Sequence, residues 1–217
     1  QFNALQVKQM LGGRANARKG KEMLYTFDNA LFDDKEYAFS DPINPKYGSA
    51  QICNTCGKYI SQATWENPRV VKFSKNKIGD FLFGSCFPFL LNKKTYDLLN
   101  NKIKGIIEFK GVIDKNNTEY YLPELEICPA EIDEQECWVI RENTSIEICP
   151  DCKTGSTIKY FEKLIINKIK MKDICILGNL PGTIIFNDIF LDILMENQLS
   201  NVKAINIEEY KCPWKKY

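Results

Sequence analysis

The chain has 217 residues, of which 44% are hydrophobic, and its 29 lysines and arginines nearly balance its 28 aspartates and glutamates. This length and composition predict a globular protein with one sizeable domain or two small ones. There is no histidine, which excludes Ser-His and Cys-His nucleophile pairs, a histidine general base and a mixed Cys/His zinc site. A net charge of +1 provides no global positive field for unspecific binding to nucleic acid or to an anionic membrane.

The first 22 residues differ in composition from the rest, because they hold five basic residues and one acid. Segment 1–22 is therefore interpreted as a basic tail or as a leader from an expression vector, with Met23 as a natural start. A genuine helix around residues 4–11 is the alternative. No apolar run reaches the roughly 18 residues needed to span a bilayer, and no secretory signal is recognised. We therefore expect a cytoplasmic protein with no membrane association.

Four of the nine cysteines form two C-x-x-C pairs, Cys53 with Cys56 and Cys149 with Cys152. Each pair places two thiols on one tight turn, and two such knuckles complete a tetrahedral site of four thiolates. Such a site has no open position for water, so we expect structural Zn²⁺, with iron as the other candidate ion. The alternatives are a thioredoxin-like redox motif, disulfides and two independent core pairs.

The two pairs are separated by 92 residues, which is far beyond the spacing of a zinc ribbon and requires a long insertion or a duplication. Cys149 follows Cys53 by 96 residues, and similar segments recur along the chain at nearly this offset. Each copy contains a predicted helix that begins at an asparagine cap, Asn92 or Asn187, and a predicted strand after it. The matched segments are 80–84 with 173–178, 90–99 with 185–194, and 105–109 with 202–207.

These patterns predict one zinc-stabilised α+β domain over residues 23–217. It would consist of two weakly repeated α/β units, about residues 50–115 and 146–210, joined at a four-cysteine zinc-knuckle site. Residues 116–145 would form an acidic insert between the units. The alternative is that sequence rich in Ile, Leu, Asn and Lys resembles itself by chance.

Residues 124–147 hold eight acids and a single base, so this acidic segment has a net charge of −7. One interpretation is a solvated loop or strand edge, and the other is an acidic surface that meets a basic partner such as the active face of a nuclease. Trp138 is a candidate interface anchor. The candidate partner-binding residues are Glu124, Glu126, Glu131, Asp133, Glu134, Glu136 and Trp138.

The two knuckles lie about a hundred residues apart in a chain of about 200 residues, and the first reads CxxCG at Cys53, Cys56 and Gly57. This pattern resembles the double-CxxCG family of bacterial immunity proteins over most of residues 23–217. Lys153 stands where the second motif of the family has glycine. Family members accompany polymorphic or contact-delivered toxins and protect the producing cell. The resemblance implies a non-enzymatic protein that binds a cognate toxin domain and occludes its active site.

The main alternative is a zinc-ribbon nucleic-acid-binding or transcription-associated module, which presents a basic stripe to its ligand. Only residues 1–22 and the lysine-rich stretch 158–172 offer such a stripe, so we do not expect nucleic acid as the partner. A carboxylate-dependent enzyme is the third class, and the acids cluster in one polar run without the constellation that catalysis needs. The other five cysteines are expected to be buried or inert thiols.

Overall fold

The computed structural model describes residues 23–28, 36–180 and 182–212, so the predicted tail or leader at 1–22 lies outside the described residues. The described chain is mostly β-sheet with two α-helices and one short 3-10 helix, which makes the fold α+β. None of the helices in these ranges is long and apolar enough to cross a membrane. The helices are α1 (Lys93–Leu99), α2 (Asp188–Glu196) and the 3-10 helix Ile207–Glu209.

Most of the described strands are short, and among them only β8 and β9 exceed four residues. The strands are β1 (Tyr25–Phe27), β2 (Ser40–Pro42), β3 (Lys46–Tyr47), β4 (Trp65–Glu66), β5 (Val70–Phe73), β6 (Phe81–Leu82), β7 (Leu90–Leu91), β8 (Ile106–Asp114), β9 (Glu119–Leu125), β10 (Ile127–Cys128), β11 (Ala130–Ile132), β12 (Ile140–Arg141), β13 (Ile158–Tyr160), β14 (Ile166–Ile169), β15 (Ile174–Leu177), β16 (Ile184–Phe186) and β17 (Ala204–Asn206).

The first sheet has six strands in the order β2-β5-β8-β9-β7-β6, and its two edges meet. Ser40 donates its N–H to the carbonyl of Phe83 at 2.9 Å, and its own carbonyl accepts from Ser85 at 2.9 Å. Gly84 permits this approach, since a Cβ there would lie 2.3 Å from the carbonyl oxygen of Ser40. The sheet is thereby closed into a barrel.

Side chains alternate between the two faces of the barrel strands. One face fills the barrel interior with a core that includes Val71, Leu82 and Leu122. The other face, which includes Phe81 and Leu91, packs in the largest core of the protein against the helices and the second sheet. The barrel therefore has its own interior and shares its outer wall.

The second sheet has five strands in the order β10-β15-β16-β1-β17. Phe27 of this sheet meets aromatic side chains of the barrel wall, since its ring centroid lies 5.9 Å from that of Phe81 and 5.6 Å from that of Phe89. Tilted and edge-on rings at these distances pack favourably. The largest core is thus the contact between the two sheets.

The chain crosses between the sheets. Strand β1, at the start of the described chain, pairs with β16 and β17 near its end. Strand β9, in the middle of the chain, pairs with β7 and β8 of the barrel. Because β1 completes a sheet otherwise built from the second half of the chain, the two halves are interlocked.

Both predicted asparagine caps are confirmed. The side chain of Asn92 accepts from the N–H of Thr95 at 2.9 Å and begins α1, and that of Asn187 accepts from Phe190 at 3.3 Å and begins α2. The strand predicted after each helix is also present, as β8 and β17.

Two nearly buried aspartates connect the two halves of the chain. Each lies beside one sheet and accepts hydrogen bonds from the segment that follows the helix of the other half of the chain. Asp80 accepts from the N–H and the hydroxyl of Ser200, at 2.8 and 2.7 Å. Asp173 accepts from the N–H of Lys104 at 2.8 Å. Burial raises the pKa of Asp80, but the hydrogen bonds from Ser200 and Asn92 and the charge of Lys94 outweigh burial and hold that pKa below its usual value.

We predict that Asp80→Ala and Asp173→Ala each lower the free energy of unfolding by about 2 kcal/mol, because each leaves buried donors without an acceptor. Urea unfolding at neutral pH measures this. Asp97→Ala is the control, since its exposed pair with Lys93 contributes roughly 0.5 kcal/mol or less. The loss caused by Asp80→Ala should begin to shrink as the pH falls below about 4 and should keep shrinking as the pH falls through the lowered pKa of the folded state, because the carboxylate contributes its full stability above its unfolded pKa and loses it as it is protonated in the fold. Equal losses in all three variants would contradict the assignment.

Candidate metal centre

The two C-x-x-C pairs lie face to face. The Sγ atoms of Cys53 and Cys149 are 3.9 Å apart, and those of Cys56 and Cys152 are 3.6 Å apart. All four Sγ atoms lie within 4.8 Å of one another. A tetrahedral ion with bonds of 2.3 Å to sulfur requires separations of about 3.8 Å between the sulfurs. The four cysteines could therefore hold a metal ion, and their spacing is compatible with zinc.

Each knuckle is shaped by the same backbone turn. Gly57 donates its N–H to the carbonyl of Cys53 at 2.9 Å, and Lys153 donates to that of Cys149 at 3.0 Å. Both donors have a left-handed backbone, with φ of 72° at Gly57 and 57° at Lys153. Lys153 thus adopts the conformation that the glycine of the motif would supply, which explains how the second knuckle forms without it.

Two further contacts join the knuckles outside the sulfur cluster. The hydroxyl of Thr55 donates to the carboxylate of Asp151. The ammonium of Lys58 donates to the carbonyl of Gly155 at 2.6 Å. Each contact links a residue of the first knuckle hairpin, residues 51–61, to one of the second, residues 149–155, so the hairpins are aligned by protein contacts as well as by their thiols.

The cluster has an uneven electrostatic environment. Backbone N–H groups of Cys56 and Thr55 lower the pKa of the Cys53 thiol to about 6. The backbone N–H of Lys58 lowers the pKa of Cys56, but burial and the neighbouring thiols outweigh it and raise that pKa to about 11. Thiolates packed this closely repel each other unless a cation neutralises them. The arrangement is suited to a metal ion with four sulfur ligands.

A centre of this kind has a limited chemistry. Four protein sulfurs complete a tetrahedron and leave no position for a water or a substrate. Three of the four cysteines are buried, and Ile60 packs against them. An ion held here would join the two hairpins and would not activate a nucleophile.

We predict one metal ion per chain, lost in the double variant Cys53→Ser with Cys149→Ser, which removes one ligand from each knuckle. Elemental analysis and thermal melting measure the loss, and the melting temperature should fall steeply because a structural zinc contributes on the order of 10 kcal/mol. Cys212→Ser is the control, since Cys212 lies outside the cluster. A double variant that kept both metal and stability would disprove a shared site.

We predict opposite effects of changing the residue after each knuckle. Gly57→Ala should cost about 1 kcal/mol of unfolding free energy, because nothing lies within 4 Å of the new Cβ and only the left-handed backbone opposes it. Lys153→Gly should gain up to about 1 kcal/mol by relieving the same conformation. Chemical denaturation of the metal-loaded protein measures both changes. Gly111→Ala, at a glycine without positive φ, should cost nothing, and a stabilising Gly57→Ala would be the contrary result.

The acidic segment is not a field of unpaired charge. Five of its candidate carboxylates form ion pairs with basic side chains: Glu124 with Lys110, Glu126 with Lys172, Glu131 with Lys153, Glu134 with Arg141, and Glu136 with Lys163. Four of these five bases lie outside residues 124–147, so other parts of the chain neutralise part of the segment's charge.

The structure brings some of the candidate partner-binding residues together and separates others. Asp133, Glu134, Glu136 and Trp138 share one turn, in which the carboxylate of Asp133 accepts from the N–H of Glu136 at 3.0 Å. Backbone N–H groups lower the pKa of Asp133. The other three candidates lie before this turn: Glu124 in β9, Glu126 between β9 and β10, and Glu131 in β11.

Trp138 is 71% exposed and has a φ of 53°. Three further large apolar side chains in the next ten residues are also exposed, and the sequence analysis did not single them out. They are Ile140, Ile146 and Ile148. Isoleucines placed within a polar run were the available signal, although exposure cannot be read from residue type alone.

The other cysteines are mostly buried, as expected. Cys86, Cys128, Cys137 and Cys175 are buried, and Cys212 is half-buried. Burial raises the pKa of Cys86 to about 11, which keeps it a thiol at neutral pH.

Comparison with protein-family models finds no family that matches this chain, and comparison with curated proteins finds no matching relative. The resemblance to the double-CxxCG family rests on the two knuckles and their spacing.

Proposed function

We propose that this protein is a cytoplasmic, non-catalytic immunity protein that binds a cognate toxin domain and occludes its active site, with Zn²⁺ as a structural ion. Two things support the proposal: the resemblance to the double-CxxCG family and one structural observation. That observation is Trp138, a large aromatic side chain held in solvent on a firmly built turn.

The turn around Trp138 has a strained backbone, and contacts from neighbouring residues hold it in place. A bulky residue with positive φ is strained, and such strain persists where the surroundings enforce it, often at functional sites. Val139 donates to the carbonyl of Glu134 at 3.0 Å, and the side chain of Arg141, only 7% exposed, pairs with Glu134. An exposed tryptophan on a rigid base is a preorganised anchor for a protein partner.

The surroundings of Trp138 fit a protein surface better than a nucleic acid. Exposed isoleucines follow it in the chain, and the carboxylates of Glu142 and Glu147 are exposed beside them in sequence. In the lysine-rich stretch 158–172, Lys163 and Lys172 are engaged by glutamates. We therefore propose that the toxin-binding surface around Trp138 is partly apolar and partly acidic. The candidate carboxylates predicted from the sequence would contribute to specificity at its rim.

The proposed zinc joins two repeated units. In support, Tyr25–Phe27 pairs with Ala204–Asn206 in the same antiparallel register in which Tyr121–Pro123 pairs with Phe109–Gly111. Strand β1 lies before the first unit and pairs with β16 and β17 of the second, and strand β9 lies between the units and pairs with β7 and β8 of the first. The paired knuckles and the paired aspartates, Asp80 with Asp173, follow the same correspondence. A zinc at the contact of two such units would stiffen the whole binding scaffold.

We predict tight one-to-one binding between the full chain and the C-terminal toxin domain encoded by the neighbouring gene, with loss of that domain's toxicity. Trp138→Ala should weaken binding by at least about 30-fold, the size of effect expected for a buried interface anchor. Calorimetry at moderate salt measures the affinity of the unaltered protein and that of the variant. Tyr59→Ala is the matched control, since Tyr59 is an exposed aromatic residue on the first knuckle hairpin and outside the turn that carries Trp138, and its removal should change affinity by less than about threefold.

The same experiment distinguishes the rival function. Absence of toxin binding, together with affinity for nucleic acid that falls steeply with salt, would reject the immunity function and favour a zinc-ribbon nucleic-acid module.

A further inference from the structure

The barrel wall is incompletely paired between β5 and β8. Strand β8 has nine residues, and β9 pairs with it along nearly its whole length. On the other side, β5 pairs with β8 only at its last two residues, Ile113 and Asp114. No other strand of the described chain pairs with β8 on that side. Residues 107–111 on the β5 side of β8 are therefore unpaired, and we call them the open β8 edge.

The backbone of the open β8 edge directs hydrogen-bonding groups away from the barrel pairing. Ile113 donates its N–H to the carbonyl of Arg69 on the β5 side at 3.0 Å. The N–H and C=O groups of successive residues in a strand point to alternate sides, and the register with β9 is continuous from Glu108 onward. Phe109 and Gly111 therefore point their N–H and C=O groups to the same side as Ile113. Two donors and two acceptors have no strand partner there.

Solvent reaches the open β8 edge. Gly111 is exposed, and because glycine has no side chain this exposure belongs to its backbone. Ile107 is 58% exposed, and the side chain of Glu108 is 56% exposed. An accessible strand edge with unpaired backbone groups and an exposed apolar side chain is a template for pairing with another strand.

A second copy of β8 fits this edge. When a strand pairs with its own copy in the antiparallel direction, a twofold axis relates the two strands and each contact occurs twice. An axis at Phe109, the middle of the open edge, places Phe109 opposite its copy, where the two residues exchange backbone hydrogen bonds. The same axis places Ile107 opposite Gly111, so an exposed apolar side chain covers a residue that has none.

Charge selects this register. With the axis at Phe109, Glu108 of each copy lies opposite Lys110 of the other, and opposite charges in facing positions stabilise a strand pair. With the axis one residue later, Lys110 would face Lys110, and like charges in facing positions are destabilising. Within one chain Lys110 pairs with both Glu124 and Glu108, the latter at 3.3 Å. Because two carboxylates share one ammonium, the exposed Glu108 can also pair with the ammonium of a second copy.

We propose that the open β8 edge is an interface between two copies of this chain, which pair antiparallel through residues 107–111 about a twofold axis at Phe109. The paired edge is short, so the dimer dissociates on dilution. The edge contains none of the candidate toxin-binding residues, and each copy in the dimer keeps its own Trp138 turn. The proposal therefore stands whether or not the protein binds a toxin.

The first test measures association and locates it on the backbone. Sedimentation velocity of the full-length, metal-loaded protein should show conversion of monomer to dimer as the concentration rises. Amide hydrogen exchange, followed by NMR, should become slower at Phe109 as the dimer forms. Exchange at Ile113 should not change with concentration, because its N–H already bonds to Arg69 in the single chain.

The second test alters exposed side chains of the edge. Glu108→Lys places an ammonium opposite Lys110 of the second copy, and Ile107→Lys places one opposite Gly111. Each change should weaken dimerisation at least about tenfold. Ile189→Lys is the matched control, since Ile189 lies in α2 and is 55% exposed, and it should leave dimerisation unchanged. Melting temperatures measured on dilute protein show that the monomers of all three variants remain folded.

The proposal is overturned if the chain stays monomeric at the highest concentration reached, or if exchange at Phe109 does not depend on concentration. It is also overturned if Ile107→Lys and Glu108→Lys dimerise like the unaltered protein. A chain that stays monomeric while Glu108→Lys weakens binding of the toxin domain would assign the open β8 edge to the toxin instead. Dimerisation without any toxin binding would support this interface and reject only the immunity function.

Discussion

The convergence of four thiols from two distant parts of the chain is the constraint on which the rest of the structure depends. Cys53 and Cys149 can approach to 3.9 Å only if the two hairpins that carry them face each other. The contacts of Thr55 with Asp151 and of Lys58 with Gly155 hold the hairpins in the same arrangement. A metal ion bound by the four sulfurs would neutralise the charge that otherwise drives thiolates apart.

Backbone pairing between strands also holds the two halves of the chain together. Strand β1 is held by β16 and β17, so the start of the described chain cannot leave the second sheet without breaking backbone hydrogen bonds. The carboxylates of Asp80 and Asp173 then attach each half to the other through buried, charge-assisted hydrogen bonds. Knuckles, strands and aspartates therefore oppose separation of the halves at three different places.

The surface chemistry divides between neutralised charge and exposed apolar groups. Ion pairs such as Glu134 with Arg141 consume much of the acidic segment's charge, which leaves Trp138 as its most prominent feature. Trp65 is the opposite case, since its ring is buried and its N–H is unsatisfied.

Local chemistry allowed the sequence by itself to determine the knuckle turns, the two capped helices and the strand after each helix. An asparagine such as Asn92 caps the helix that follows it, and a C-x-x-C turn needs only its own few residues. Only the tertiary structure decided that β1 joins the end of the chain, that Glu124 and Glu131 find lysines, and that a cavity opens beside Trp65. Those features depend on which distant segments pack together, and a residue's own neighbours in sequence carry no information about that packing.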